Sequence, residues 1–94
     1  MITPRQAIKE LLQEQPLSIR ELSQRLSLSE KEVLDHLGHI ARAPGPSHRF
    51  QIIPAVCQHC GFVFKKRERL RTPSRCPLCR QQSISRPRFA LILK

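Results

Sequence analysis

Tryptophan and tyrosine are absent from this 94-residue chain, and four phenylalanines are its entire aromatic stock. A chain this short with so little aromatic bulk can build only a small apolar core, and it needs a second source of stability. Glycine is scarce, with three residues, so no glycine-rich phosphate loop can be drawn. Long apolar runs are missing as well. The longest, Phe89-Ala-Leu-Ile-Leu93, is far too short to span a bilayer, which excludes a membrane partner of that kind. The first ten residues contain no apolar stretch of the signal-peptide type, so a cytoplasmic protein is expected. No Ser/His/acid set can be placed together from the sequence, and an enzyme is not expected.

Acidic residues are nearly missing from the second half. Residues 1–47 carry Arg5, Lys9, Arg20, Arg25, Lys31 and Arg42 against Glu10, Glu14, Glu21, Glu30, Glu32 and Asp35, with no net charge. Residues 48–94 hold the other eleven of the seventeen Lys/Arg and one acid, Glu68. The whole formal charge of +10 therefore sits in one half. One-sided positive charge points to a polyanion: nucleic acid first, an anionic membrane surface second. A solvated, solubilising surface is the alternative, but solubility alone hardly explains charge gathered in one half.

What the second half does have is four cysteines in two pairs, Cys57-Gln-His-Cys60 and Cys76-Pro-Leu-Cys79, separated by residues 61–75. Two residues between cysteines let a tight turn aim both sulfurs at one point, and two such turns complete the tetrahedron of Zn²⁺. One zinc per chain is expected on Cys57, Cys60, Cys76 and Cys79. Protein fills all four positions, so the site is structural rather than catalytic. Gly61 follows the first pair, where positive φ is commonly needed; Arg80 stands at the matching place after the second, a poorer fit. Two disulfides, a redox dithiol or an iron centre are the competing uses of four cysteines. His59, inside the first pair, should point away from the metal.

The first half has three helix starts. Thr3-Pro4 with Gln6, Ser18 with Glu21, and Ser29 with Glu32 each predict an N-cap with a capping box. Apolar faces follow: Ala7, Ile8, Leu11 and Leu12; then Leu22 and Leu26; then Val33, Leu34, Leu37, Ile40 and Ala41. Pro16 should end the first helix, and Leu28, in a very short connector, can plug the core between the other two. This order is that of a helix-turn-helix, with an unrelated three-helix bundle as the alternative. Beyond Ala43-Pro-Gly-Pro-Ser47, Arg49–Ile53 and Arg88–Lys94 read as strands, the second with Phe89, Leu91 and Leu93 on one face. The cysteine module lies between them. The predicted fold is therefore α+β: a winged helix-turn-helix, three helices plus a two-stranded wing, with a four-cysteine zinc ribbon inserted in the wing. Residues 1–55 and 86–94 would form the winged part and residues 56–85 the ribbon.

The stretches Pro16-Leu-Ser-Ile-Arg-Glu-Leu-Ser23, Val33-Leu-Asp-His-Leu-Gly-His-Ile40, Pro54-Ala-Val-Cys-Gln-His-Cys-Gly-Phe-Val-Phe64 and Thr72-Pro-Ser-Arg-Cys-Pro-Leu-Cys79 give the chain its likeness to known proteins. It resembles a small family of prokaryotic predicted transcriptional regulators, a winged helix-turn-helix fused to a rubredoxin-like zinc ribbon. The cysteine segments are the specific part. The resemblance covers nearly the whole chain and implies a zinc-ribbon wing and a DNA-associated role.

With Val33, Leu37 and Ile40 inward, Lys31, Glu32, Asp35, His39 and Arg42 face outward on the third helix. Lys31 and Arg42 can reach phosphate or guanine and His39 a base edge, whereas Glu32 and Asp35 repel phosphate. Gly38 weakens a helix interior and would be explained by close approach of another backbone. In the ribbon, Lys65, Lys66, Arg67, Arg69 and Arg71 crowd into seven residues, a run suited to sequence-independent phosphate contacts. Phe62 and Phe64 could stack on unpaired bases, but more simply they cover the metal. The expectation is a DNA-binding transcriptional regulator, nucleoid-associated, with double-stranded DNA as partner. An RNA- or ribosome-associated zinc-ribbon protein and a rubredoxin-like iron electron carrier are the alternatives. A homodimer would have to use the existing surface.

Overall fold

The computed structural model describes residues 3–64 and 73–94. Three helices come first: α1 (Pro4–Glu14), α2 (Ile19–Leu26) and α3 (Glu30–Arg42). Each begins where a hydroxyl can satisfy an orphan amide, though the three caps differ. The Thr3 hydroxyl accepts from the Gln6 amide at 3.1 Å, with Pro4 at the first helical position. Among the described residues only α2 has the full reciprocal box, in which Ser18 accepts from Glu21 and the Glu21 carboxylate accepts from the Ser18 amide. At α3 the expected return bond is replaced. The Ser29 hydroxyl itself donates to the Glu32 carboxylate at 3.2 Å while accepting from the Glu32 amide at 3.1 Å. Pro16 stops α1, whose cap is Gln15.

The turn from α2 to α3 is three residues long. Ser27 takes the left-handed conformation at φ 55°, the Ser23 hydroxyl donates to the Leu28 carbonyl, and Leu28 packs half-buried against the core. The core beneath is Ile8, Leu12, Leu17, Ile19, Leu22, Val33, Leu37, Ile40, Phe89 and Leu91. The helices contribute the predicted apolar faces, and Ile19 joins them although it lies outside the predicted stripe. Gly38 has no close neighbour: a methyl placed there would meet nothing within 4 Å, so the expected backbone approach is not present.

Strands β1 (His48–Ile53) and β2 (Arg88–Leu93) pair antiparallel, with Phe50 opposite Leu91 and Ile52 opposite Phe89. Phe50 and Phe89 stack diagonally at 5.8 Å, an arrangement that pins the register. Leu93 departs from the sequence reading: it shares the face of Phe89 and Leu91 but is 71% exposed at the open end of the sheet. Ala90, expected outward, is buried instead, because β2 packs against α1.

A feature without a sequence signal completes this layer. Leu17, between α1 and α2, bridges Phe89 on the free edge of β2, their amides and carbonyls paired at 3.0 and 2.9 Å. Each strand then continues past a proline. Without a slip, the β1–β2 register would set Pro54 against Pro87 and Cys57 against Ile84, and the second of these is a bridge in the structure. Prolines have no amide to donate, so the ladder is interrupted there but keeps its register. Residues 56–58 continue beside 83–85, through Ser85 N–H to Val56 O at 2.9 Å and Gln58 N–H to Ser83 O at 2.7 Å. On their other side they pair with Val63. The fold is α+β: three helices, a two-stranded antiparallel sheet and a four-cysteine ribbon.

Candidate metal centre

Two turns of one design hold the four sulfurs. In the first, the Gly61 amide donates to the Cys57 carbonyl at 2.9 Å and the Cys57 amide to Phe62 O at 2.8 Å. In the second, the Arg80 amide donates to Cys76 O at 2.9 Å and the Cys76 amide to Gln81 O at 3.0 Å. Gly61 sits at φ 81° and Arg80 at φ 61°. The second turn thus forces an arginine into the left-handed conformation that the first gives to glycine. The expected weakness of fit is real in energy, at roughly 1–2 kcal/mol, but it does not alter the geometry.

Repetition of the turn repeats the electrostatics. The Cys57 sulfur accepts from the amides of Cys60 and His59, and the Cys76 sulfur from those of Cys79 and Leu78. Cys60 and Cys79 each accept one, from Phe62 and Gln81. Six aligned N–H dipoles therefore face four sulfurs, an arrangement that favours thiolate. The Cys57 thiol is lowered to about 6, chiefly by the Cys60 amide, against desolvation. Desolvation also opposes Cys76, which is nevertheless lowered by its two amides and by the thiols of Cys60 and Cys79. The second cysteine of each pair moves the other way. The Phe62 amide pulls Cys60 down, yet desolvation and the neighbouring sulfurs of Cys76 and Cys57 raise it. The Gln81 amide does the same for Cys79, but desolvation and three sulfurs push it to about 12.

The donor set fits a tetrahedral metal. All four cysteines are free, and their sulfurs lie within 4.8 Å of one another. Cys57 and Cys79 are 3.5 Å apart and Cys60 and Cys76 3.6 Å, against about 3.8 Å for the edge of a ZnS₄ tetrahedron with bonds of about 2.3 Å. These separations are far beyond a disulfide bond of about 2.05 Å. His59 is exposed and outside the sulfur cluster. Below it lies a small core of Ala55, Cys57, Phe64 and Cys76, with Phe62, Cys79 and Ile84 packed on it. Phe62 and Phe64 meet edge to face at 5.0 Å, which places both in the packing of the ribbon.

Comparison with known proteins bears on the whole chain. The family model described as PF0610-like, N-terminal, matches residues 3–45, and that described as PF0610 rubredoxin-like zinc beta-ribbon domain matches residues 54–94. The chain is also similar to the solution NMR structure of protein PF0610 from Pyrococcus furiosus. They share 40% identity at a TM-score of 0.76, over 97% of this chain and 90% of that one. The chain belongs to the PF0610 family. No curated protein matches it. A sulfur tetrahedron alone would suit zinc or iron, and the PF0610 ribbon is a zinc ribbon. Cys57, Cys60, Cys76 and Cys79 lie close enough together to hold one zinc ion. The PF0610 ribbon match includes β2, so in the family, too, the ribbon and the last strand form one sequence unit.

The other expected site residues divide in two. On α3, Lys31, His39 and Arg42 are all exposed, as are Glu32 and Asp35 between them, while Val33, Leu37 and Ile40 are buried. The basic run Lys65, Lys66, Arg67, Arg69 and Arg71 lies outside the described residues. The sequence reading missed the part played by Arg86 and Arg88, at the base of the ribbon. Arg86 pairs with Glu30 at the start of α3 (3.7 Å), and Arg88 with Glu21 of α2 (3.6 Å). Their spacing in the sequence carries no signal for this, because the partners are more than fifty positions away. No helix among the described residues is long and apolar enough to cross a membrane.

Proposed function

We propose that this protein is a DNA-binding transcriptional regulator built as a winged helix-turn-helix, its zinc ribbon forming the extended wing. The observation that supports this most is the Leu17–Phe89 bridge. It adds a one-residue strand between α1 and α2 to the free edge of β2, so that Leu17, β2 and β1 stand side by side. Helix, short strand, helix, three-residue turn, helix and hairpin is the winged-helix order, which a generic three-helix bundle would have no reason to reproduce. Zinc is structural on this reading: four thiolates fill its coordination, and the metal supplies folding free energy to a ribbon with a very small core. The protein acts by binding, without catalysis, in the cytoplasm on the nucleoid.

Labour is divided by charge. Helix α3 offers Lys31, His39 and Arg42 to base edges or phosphate, but Glu32 and Asp35 lie on the same exposed face. Bulk affinity therefore comes from the ribbon, where Lys65, Lys66, Arg67, Arg69 and Arg71 supply phosphate contacts. The deciding experiment is salt-titrated binding of zinc-loaded protein to duplex DNA, single-stranded DNA and structured RNA. The expected order puts the duplex first, with a steep salt dependence. Preference for RNA or single strands would replace this reading with that of an RNA-associated ribbon protein.

A further inference from the structure

A groove of about 590 Å³ runs between the start of α2 and the base of the ribbon, with Arg20, Glu21, Pro54, Ser85, Arg86 and Arg88 along it. Its three arginines come from two segments far apart in the sequence, the start of α2 and residues 86–88, which the fold brings together. Arg20 is exposed on the second residue of α2 and has no ion pair among the described residues. The pairs made by Arg86 and Arg88, at 3.7 and 3.6 Å, are longer than hydrogen bonds, and the two arginine side chains are 43% and 58% exposed. Such pairs are weak. They hold the guanidinium groups over the groove while most of their N–H donors stay available.

The acidic residue in the wall is already engaged. The Glu21 carboxylate accepts from the Ser18 amide at 3.1 Å and faces Arg88. Ser85 Oγ accepts from the Val56 amide at 2.9 Å, so its own proton is free to be donated. The groove therefore offers planar, forked cationic donors and a hydroxyl to an anion. Guanidinium groups bind the tetrahedral oxygens of a phosphate through two bonds at once. We propose that this groove seats a phosphate group, namely a backbone phosphate of duplex DNA. This rests on the DNA-binding reading above and adds to it a contact outside both α3 and the basic run. Glu30, the partner of Arg86, is the first residue of α3, so the groove opens beside the start of that helix.

The experiment compares zinc-loaded wild type with R20A/R86A in salt-titrated binding to one preferred and one random duplex. Both residues are exposed, Arg88 is left in β2, and an amide spectrum verifies the fold. Loss of one seated phosphate should flatten the log–log salt slope by about 1 on both duplexes. The fall in affinity between about 50 and 200 mM salt then becomes about three- to fourfold smaller. Arg20→Ala alone, which breaks no ion pair, should shift the slope in the same direction. K9A/R25A removes the same charge away from the groove and should leave the slope unchanged.

Wild-type slopes in R20A/R86A, or an equal change in K9A/R25A, would overturn the groove while leaving DNA binding intact. If wild type binds no duplex, inorganic phosphate is titrated while the amides of residues 18–21 and 85–88 are followed. Saturable shifts that R20A/R86A abolishes would keep the phosphate seat, assign it to a free phosphorylated ligand and reject the DNA reading. No saturable shift would reject both.

Discussion

Leu17 and Phe89 stand far apart in the sequence, yet each donates its amide to the other's carbonyl, at 3.0 and 2.9 Å. The exchange places the last strand of the chain under the helices. Phe89 is fully buried and stacks on Phe50, so a residue that follows the ribbon is central to the core that precedes it. The helical half cannot therefore be complete without the C-terminal strand.

Truncation after Pro87 should accordingly destabilise the three helices rather than trim a tail. Phe89→Ala is the milder test, with an expected loss of about 3–5 kcal/mol for a fully buried phenylalanine. Chemical denaturation of the zinc-loaded protein, followed through the helical signal, measures both. Unchanged helical stability in the truncated chain would show two independent modules instead.

The parts of this arrangement that could be read from the sequence were those governed by local chemistry. Ser18 with Glu21 marks a helix start because the capping partners are three residues apart. Cys57, Cys60, Cys76 and Cys79 announce a metal because each two-residue gap sets a turn. The Leu17–Phe89 bridge leaves no trace, since a one-residue strand has no alternation to detect. Leu93 is exposed for a related reason. Period two assigns a face, but α1 decides how far along the strand that face is covered. Arg80 in the left-handed conformation shows the converse: the hydrogen-bonded turn of the second cysteine pair overrides residue preference.

Loss of the metal should stop at the two prolines. Cys→Ser at Cys57, Cys60, Cys76 or Cys79 removes the ligand set that supports the small cluster of Ala55, Cys57, Phe64 and Cys76. Pro54 and Pro87 already interrupt the ladder, so unfolding of the ribbon is expected to leave β1, β2 and the helices formed. Amide exchange should show protection lost over residues 56–64 and 73–85 and kept at Leu17, Phe50 and Phe89. Zinc analysis of wild type should return one ion per chain. Collapse of the helices in every Cys→Ser variant would mean that the break does not insulate.

Acid should release the zinc. In the metal-free protein Cys57, lowered to about 6, is already thiolate near neutral pH, whereas Cys79, at about 12, and the raised Cys60 still hold protons. Zinc must displace those protons, so affinity rises with pH and falls as protons return. Competition with a chromophoric chelator between pH 6 and pH 8 checks the sign, and titration calorimetry in buffers of different ionisation enthalpy counts the protons. A pH-independent affinity would contradict the thiol states described.

Two backbone positions are open to improvement. Gly38 has nothing within 4 Å of its missing side chain, so Gly38→Ala should stabilise α3 by about 1 kcal/mol. Arg80→Gly removes the left-handed penalty of roughly 1–2 kcal/mol but loosens the unfolded chain, for a net gain of about 0.5–1 kcal/mol. Gly61→Ala, at φ 81°, should act in the opposite sense. Melting temperatures of the three loaded variants against wild type are sufficient. A stabilised Gly61→Ala would refute the symmetry of the two turns.

The charge split leads to a double dissociation in DNA binding. Residues 1–47 carry no net charge, so they cannot supply long-range attraction to phosphate, whereas the ribbon can. Replacing Lys65, Lys66 and Arg67 by Ala should weaken binding to every duplex alike and flatten the log–log salt slope by roughly 3, if each meets a phosphate. Replacing His39 or Arg42, both exposed on α3, should change bulk affinity less. The discrimination between a preferred and a random site should instead fall by about 1–3 kcal/mol at the base each one reads. Glu32 and Asp35 add a check of sign, since Ala at either removes a charge that repels phosphate and should raise non-specific affinity. A ribbon triple variant with the wild-type slope would show that the basic run is a solvated face. Helix variants with unaltered discrimination would remove α3 as the reader and leave binding to the ribbon alone.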